Sequence, residues 1–198
     1  MKHVLFAAAL ALSPVAAIAD GHAKADAYKL DASHSQIVFS YNHLGFSTTY
    51  GMFSGFEGDI TWDKASPENS TVAVSMPVSS MFTGWEQRTA HFLSPDFFAA
   101  ADEDLVTFTS TGIEITGDDT ALITGDLTMN DVTKSVVLDA KLNAEGTHPM
   151  AKKEWAGFDA TVTLLRSDFN VGAFAPFVSD EVSVMISVEA MKADEDAS

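Results

Sequence analysis

The strongest constraint on the fold is an alternation of period two that recurs along most of the chain. From Gly55 to Asp63, Phe56, Gly58, Ile60 and Trp62 share one face, while Glu57, Asp59, Thr61 and Asp63 share the other. Successive side chains of an extended strand point to opposite sides, so this pattern describes a strand with one face buried and one in water. The same spacing relates Ile37, Phe39 and Tyr41; then Val72, Val74, Met76 and Val78; then Val106 and Phe108, running on to Ile113 and Ile115. It returns in Ile123, Leu127 and Met129, in Val136, Leu138 and Leu142, in Phe158, Val162 and Leu164, and in Val182, Val184, Ile186 and Val188. About eight such strands predict an all-β, antiparallel domain that closes into a barrel or a sandwich. Turn signals separate them at Gly117-Asp118-Asp119, at Asn130-Asp131 and from Asn143 to Pro149. Asn130-Asp131 suits a two-residue hairpin, because both residue types tolerate positive φ.

One segment, between the third and fourth runs, breaks the pattern. Met81, Trp85, Arg88 and Phe92 are spaced as on one face of a helix, with Thr83 and Glu86 as a capping box. Ser94-Pro95 predicts an N-cap and first-turn proline opening a second short helix through Phe97 and Phe98.

The ends read differently. Met1-Lys2-His3, the apolar run Val4 to Leu12 and the small-residue site Ala17-Ile18-Ala19 form the pattern of a secretory signal peptide over residues 1–19. Ser13-Pro14 ends the apolar run well short of the roughly 20 residues a bilayer span needs. Residues 20–27 are expected to be a flexible leader, 28–191 the barrel domain and 192–198 a flexible acidic tail. The expected location is the periplasm, with no stable membrane insertion. The chain has no cysteine, which removes disulfides and thiol chemistry, and 28 acidic against 11 basic residues, which argues against an electrostatic grip on nucleic acid or on an anionic membrane face. Partners must be held by shape and apolar contact.

Facing inward, by parity, are Phe39, Phe56, Ile60, Met76, Phe108, Met129, Phe158 and Val162, mixed with Gly58, Gly125, Ala121, Ala140 and Ala160. Large and small residues around one ring describe either an interlocked core or a cavity, since a barrel of about eight strands is either just filled or holds one small ligand. Aromatics in the connections favour the cavity: Phe46, Phe53, Phe82, Phe92, Phe97, Phe98, Phe174 and Phe177 suit a pocket mouth, or a seal over the barrel end.

Longer motifs then narrow the class. Asp31-Ala-Ser-His34-Ser35-Gln-Ile-Val-Phe39, Asn42-His43-Leu44-Gly45-Phe46 and Gly51-Met-Phe53 open a series. It continues with Arg88-Thr-Ala-His91-Phe-Leu93, Asp96-Phe97-Phe98, Thr107-Phe108-Thr-Ser110-Thr111, Gly125-Asp126-Leu127-Thr128, Val132-Thr133-Lys134 and Arg166-Ser-Asp168-Phe169. In this order the motifs resemble the YceI-like family of bacterial periplasmic polyisoprenoid-binding proteins. Thr89, Asn130-Asp131 and Asn170 depart from its usual residues. The resemblance implies an extended lipocalin-like antiparallel barrel holding a long isoprenoid, such as a polyprenyl phosphate or a quinone tail, in an apolar tunnel.

Polar candidates are few. Arg88 and Arg166 are the only arginines, and a guanidinium can donate bidentately to a phosphate or carbonyl head group. Arg88, three residues from His91 and so on the same side of a helix, is the candidate anchor; Arg166 is expected to pair with a carboxylate such as the neighbouring Asp168. His43 has inward parity and is a candidate polar contact; His34 has outward parity and is expected to be a hydrogen-bonded structural residue. Asp102-Glu103-Asp104 reads as a solvated loop rather than a calcium site.

The candidate ligand-binding residues are thus Phe39, His43, Phe46, Phe53, Phe56, Ile60, Met76, Arg88, His91, Phe97, Phe98, Phe108, Met129 and Phe158. No catalytic or metal-binding residue and no cofactor is expected, since the chain holds no G-x-S-x-G elbow, H-E-x-x-H pair or phosphate-binding glycine loop. The leading expectation is a non-enzymatic protein that carries or stores an isoprenoid lipid or quinone. An enzyme acting on a lipid and a stress or structural protein with a filled barrel are the alternatives, and a homodimer is left open.

Overall fold

A computed structural model describes residues 25–194. The expected signal peptide lies outside them. Ten strands form one antiparallel sheet: β1 (Asp26–Leu30), β2 (Gln36–His43), β3 (Ser47–Phe53), β4 (Glu57–Trp62), β5 (Thr71–Pro77), β6 (Leu105–Ile115), β7 (Thr120–Met129), β8 (Val132–Thr147), β9 (Glu154–Leu165) and β10 (Glu181–Lys192). Eight close the barrel in the order β1-β4-β5-β6-β7-β8-β9-β10, with β10 returning to β1. The closed antiparallel barrel is therefore as expected, with two strands more than the periodic runs.

Those two have physical reasons for being hard to see. β10 pairs with β1 through Ala190–Lys192 and with β2 through Ser183–Ser187, so β1 and β2 run along it as two halves of one line. A 3-10 turn over Ala32–His34 separates the halves. β1 begins inside the expected leader, with Asp26 and Ala27, and runs on into Tyr28, which is almost fully buried. Likewise Lys192 of the expected tail ends β10, and its Nζ lies 2.8 Å from the Asp26 carboxylate. β3 lacks an apolar alternation because its inner face carries Thr49 and Gly51 beside Phe53. Gly51 pairs with Phe39, and a Cβ there would overlap the Phe39 ring, so the strand contributes space and β2 contributes the ring.

The turns largely follow the sequence. Asn130 and Asp131 join β7 to β8 at φ 51° and 60°, a two-residue hairpin with both residues in the left-handed region. The expected loop from Asn143 to Pro149 is mostly strand instead. β8 runs to Thr147 across a register shift between Leu142 and Ala144, because an extra residue lets pairing with β9 resume.

The segment between β5 and β6 holds a 3-10 turn over Val78–Ser80 and one α-helix, α1 (Glu86–Leu93). Arg88 and Phe92 lie on it, whereas Trp85 is its N-cap and Met81 precedes it. No capping box forms: Thr83 Oγ1 donates to the Trp85 carbonyl at 3.1 Å and lies 2.9 Å from Thr89 Oγ1, bracing the first turn from beside it. The second helix is not formed either. After Ser94 the chain makes a tight turn in which Phe98 and Ala100 donate backwards to the Phe92 and Leu93 carbonyls, and Ala99 at φ 45° ends it. Those bonds satisfy the end of α1 instead of propagating a new helix, and they leave Phe97 buried against Phe169 and Val171. A two-way backbone bridge between Met52 and Phe82 ties the insert to β3. The insert therefore lies over the barrel end formed by the β2–β3 tip, the Asn130-Asp131 turn and the loop from β9 to β10.

Candidate functional site

The barrel encloses a cavity of about 1280 Å³, larger than the roughly 300–1,000 Å³ of most small-molecule sites. A filled barrel is therefore not what this chain builds. Part of the reason is a patch of small residues: Ala121 pairs with Ala140, and Ala140 with Ala160, so three adjacent strands contribute a methyl at one level. Gly125 follows a different rule. A Cβ there would overlap the Phe108 ring, which lies across it and keeps that wall thin.

The expected ligand-contact residues almost all line this space. Phe53, Phe56, Ile60, Met76, Phe97 and Phe108 are buried in its wall, and Phe39, Phe98, Met129 and Phe158 are half-buried. Arg88, His43 and His91 line it at the insert end. Phe46 does not: it sits on the β2–β3 tip, 86% exposed and outside the lining. His43 is at the end of β2, bridged by its backbone to Val178 and exposed to water, because the inward parity of β2 carries it past the rim.

Charge is distributed unequally along the cavity. Its carboxylates, Asp118, Asp119 and Asp159, lie with Lys141 toward the β6–β7 turn, whereas Arg88 and Arg166 lie toward the insert. Arg88 Nη1 donates to the Thr83 carbonyl at 3.1 Å, and its guanidinium packs 5.7 Å from the centre of the Trp85 ring. Among the described residues the ion pairs use lysines and histidines, and neither arginine has a carboxylate within 4.0 Å. In so acidic a chain, a half-buried arginine without a counter-charge is poised to take an anion. His91, one turn along, has Nε2 3.0 Å from Asp96 Oδ2 and its ring against Phe97 and Phe174.

Arg166 departs from expectation. Asp168 faces Lys134 at 3.6 Å instead. The guanidinium donates to four backbone carbonyls: Ser179 (2.9 Å), Val171 (3.1 Å), Ala173 (3.1 Å) and Val178 (3.0 Å). Burial lowers its pKa from the ordinary value, against the opposing influence of Asp180 and Tyr41. Arg166 thus organises the β9–β10 loop, whose buried carbonyls have few other donors. That loop supplies Phe174 and Phe177 to the rim, contributions that periodicity could not reveal because no strand or helix carries them.

His34 is a hydrogen-bonded residue on the outer face, as its parity suggested, with Nδ1 2.6 Å from Asp31 Oδ2. Hydrogen bonding and charge from Asp31 raise its pKa. Partial burial pushes the Asp31 carboxyl up, but hydrogen bonds from His34 and Ser33 outweigh it and leave the pKa lowered. Donor atoms of Asp31, His34 and Glu189 lie within 4.8 Å of one another. They are already engaged, since Glu189 Oε2 accepts from Trp155 Nε1 at 2.7 Å.

Comparison with known proteins agrees with this architecture. The YceI-like domain matches residues 28–190. Protein YceI of Escherichia coli is 40% identical over 174 residues, covering 87% of this chain and 90% of that protein. Among solved structures, BcnA of Burkholderia cenocepacia superposes with a TM-score of 0.72 at 22% identity, covering 81% of this chain and 98% of that one. A polyisoprenoid binding domain from Saccharophagus degradans superposes with a TM-score of 0.64 at 16% identity, covering 85% and 99%.

Proposed function

This chain belongs to the YceI-like family, and on that premise we propose that it binds a long apolar lipid, an isoprenoid such as a polyprenyl phosphate or a quinone, for carriage or storage outside the cytoplasm. The observation that carries the reading is the continuous apolar cavity through the barrel, with its arginines at the insert end and its carboxylates at the other. Each methylene moved from water into such a space contributes about 0.8 kcal/mol, so a dozen contribute about 10 kcal/mol before ordering costs. Affinity then needs little from polar contacts. The polar groups instead orient the chain: an anionic head group would sit at Arg88, with the tail running toward Ala121, Ala140 and Ala160. The structurally similar domain whose name includes polyisoprenoid binding supports this choice of ligand. Export to the periplasm rests on the signal-peptide pattern of residues 1–19. The proposed activity is binding without turnover.

Native mass spectrometry after incubation with a polyprenyl phosphate, the matching polyprenol and a quinone tests the reading. A one-to-one adduct is expected; the bare polypeptide mass in every case refutes it. Arg88→Ala is expected to weaken the phosphate ligand by about tenfold or more, a typical loss for a charge-assisted hydrogen bond. The polyprenol should be nearly unaffected. Equal losses would remove the anchoring role.

A further inference from the structure

The insert end of the barrel presents a patch that lipid binding in the interior does not explain. Phe46 on the β2–β3 tip is 86% exposed and Leu44 47%; Phe177 and Phe174 on the β9–β10 loop are 77% and 58% exposed. The two tips are neighbours, because His43 bridges Val178 and the Ser179 N–H donates to the Asn42 carbonyl at 3.0 Å. No Asp, Glu, Lys or Arg occurs from residue 35 to 56 or from 169 to 179, although charged residues make up 20% of the chain. Both tips are therefore free of charge where they project farthest.

We propose that these tips dock the protein on a lipid bilayer, with Phe46 and Phe177 entering the interfacial region. The inference rests on the lipid-binding reading and adds the surface from which the ligand passes. Aromatic rings partition into the boundary between head groups and acyl chains, and tips without charge avoid the desolvation cost of entry. Leu44, Phe174 and Phe177 are at once exposed and part of the cavity lining. A chain leaving the bilayer between them reaches the barrel interior along apolar surface. A second copy of the protein is a poorer occupant, because it carries the same net charge of −17 and would repel the first. The contact is peripheral and reversible.

Flotation of the purified protein with phosphatidylcholine vesicles tests the proposal against Phe46→Ser/Phe177→Ser, a pair of substitutions at positions too exposed to matter for folding. The wild type is expected to float with the vesicles and the double variant to bind at least about tenfold more weakly. Uptake of a short, water-dispersed isoprenoid alcohol should be unchanged in the single variant Phe46→Ser, whose ring lies outside the cavity lining, while that variant already floats less than the wild type. Docking is overturned if both proteins float equally, if neither floats while both take up the alcohol, or if size-exclusion shows that the aromatics hold two copies together. Flotation that depends on the two phenylalanines, in a protein that takes up no alcohol, would uphold docking and refute the lipid-binding reading.

Discussion

Replacing Ala160 by phenylalanine makes the hollow interior a question of sign. Ala160 lies on β9 between Ala140 and Ile186, inward-facing and lining the cavity. If the space beside it is empty, the new ring enters without displacing neighbours. Its burial contributes about 2 kcal/mol, reduced by about 0.5–1 kcal/mol for lost side-chain freedom. The ligand-free protein should then gain about 1 kcal/mol. In a filled interior the same ring would overpack the core and cost about 1–3 kcal/mol. Urea denaturation of delipidated wild type and Ala160→Phe reads the difference directly. The ring also blocks the cavity at the level of the three alanines. Excluding about four methylenes of a long ligand costs about 3 kcal/mol, so its affinity should fall about a hundredfold or more, while a short isoprenoid at the insert end is little affected. Destabilisation by 1 kcal/mol or more together with unchanged long-chain affinity would refute the hollow barrel.

Two further outcomes follow from the polar groups. Arg166→Met leaves four carbonyls without their donor and should destabilise the protein by about 2–4 kcal/mol in urea unfolding, with faster amide exchange around residues 171–179; a loss below 1 kcal/mol would show that water replaces the guanidinium readily. The Asp31–His34 pair should mark the pH dependence. The raised His34 pKa gives a contribution that is full below its ordinary 6.5 and lost as pH rises through the folded value. The lowered Asp31 pKa gives one present above 3.8 and lost as pH falls through its folded value. An NMR titration should place His34 above 6.5 and, in Asp31→Asn, move it back toward that value; an unchanged midpoint would exclude the pairing.

By itself the sequence determined the fold class, the placement of the insert and the composition of the inner wall. Fold class and inner wall follow from period-two patterning and the insert from its interruption by helical spacing, because side-chain periodicity is a local property that each element carries independently. Thirteen of the fourteen expected contact residues line the cavity, those on the strands by parity and Arg88, His91, Phe97 and Phe98 because the insert lies over the barrel end. Phe46 does not, since parity says nothing about a residue on a turn beyond the sheet. Only the tertiary structure decided that the interior is hollow, because an alanine reads the same whether a ring opposite fills its space, as Phe39 does at Gly51, or two more alanines face it, as at Ala140. It also decided the roles of the arginines. Asp168, the nearest acid to Arg166 in the chain, faces Lys134, and the carbonyls of Val171, Ala173, Val178 and Ser179 that hold Arg166 converge only once the β9–β10 loop has folded. Hydrogen-bond partners of a long, flexible side chain are set by where the backbone returns, and that is a long-range property no periodicity encodes.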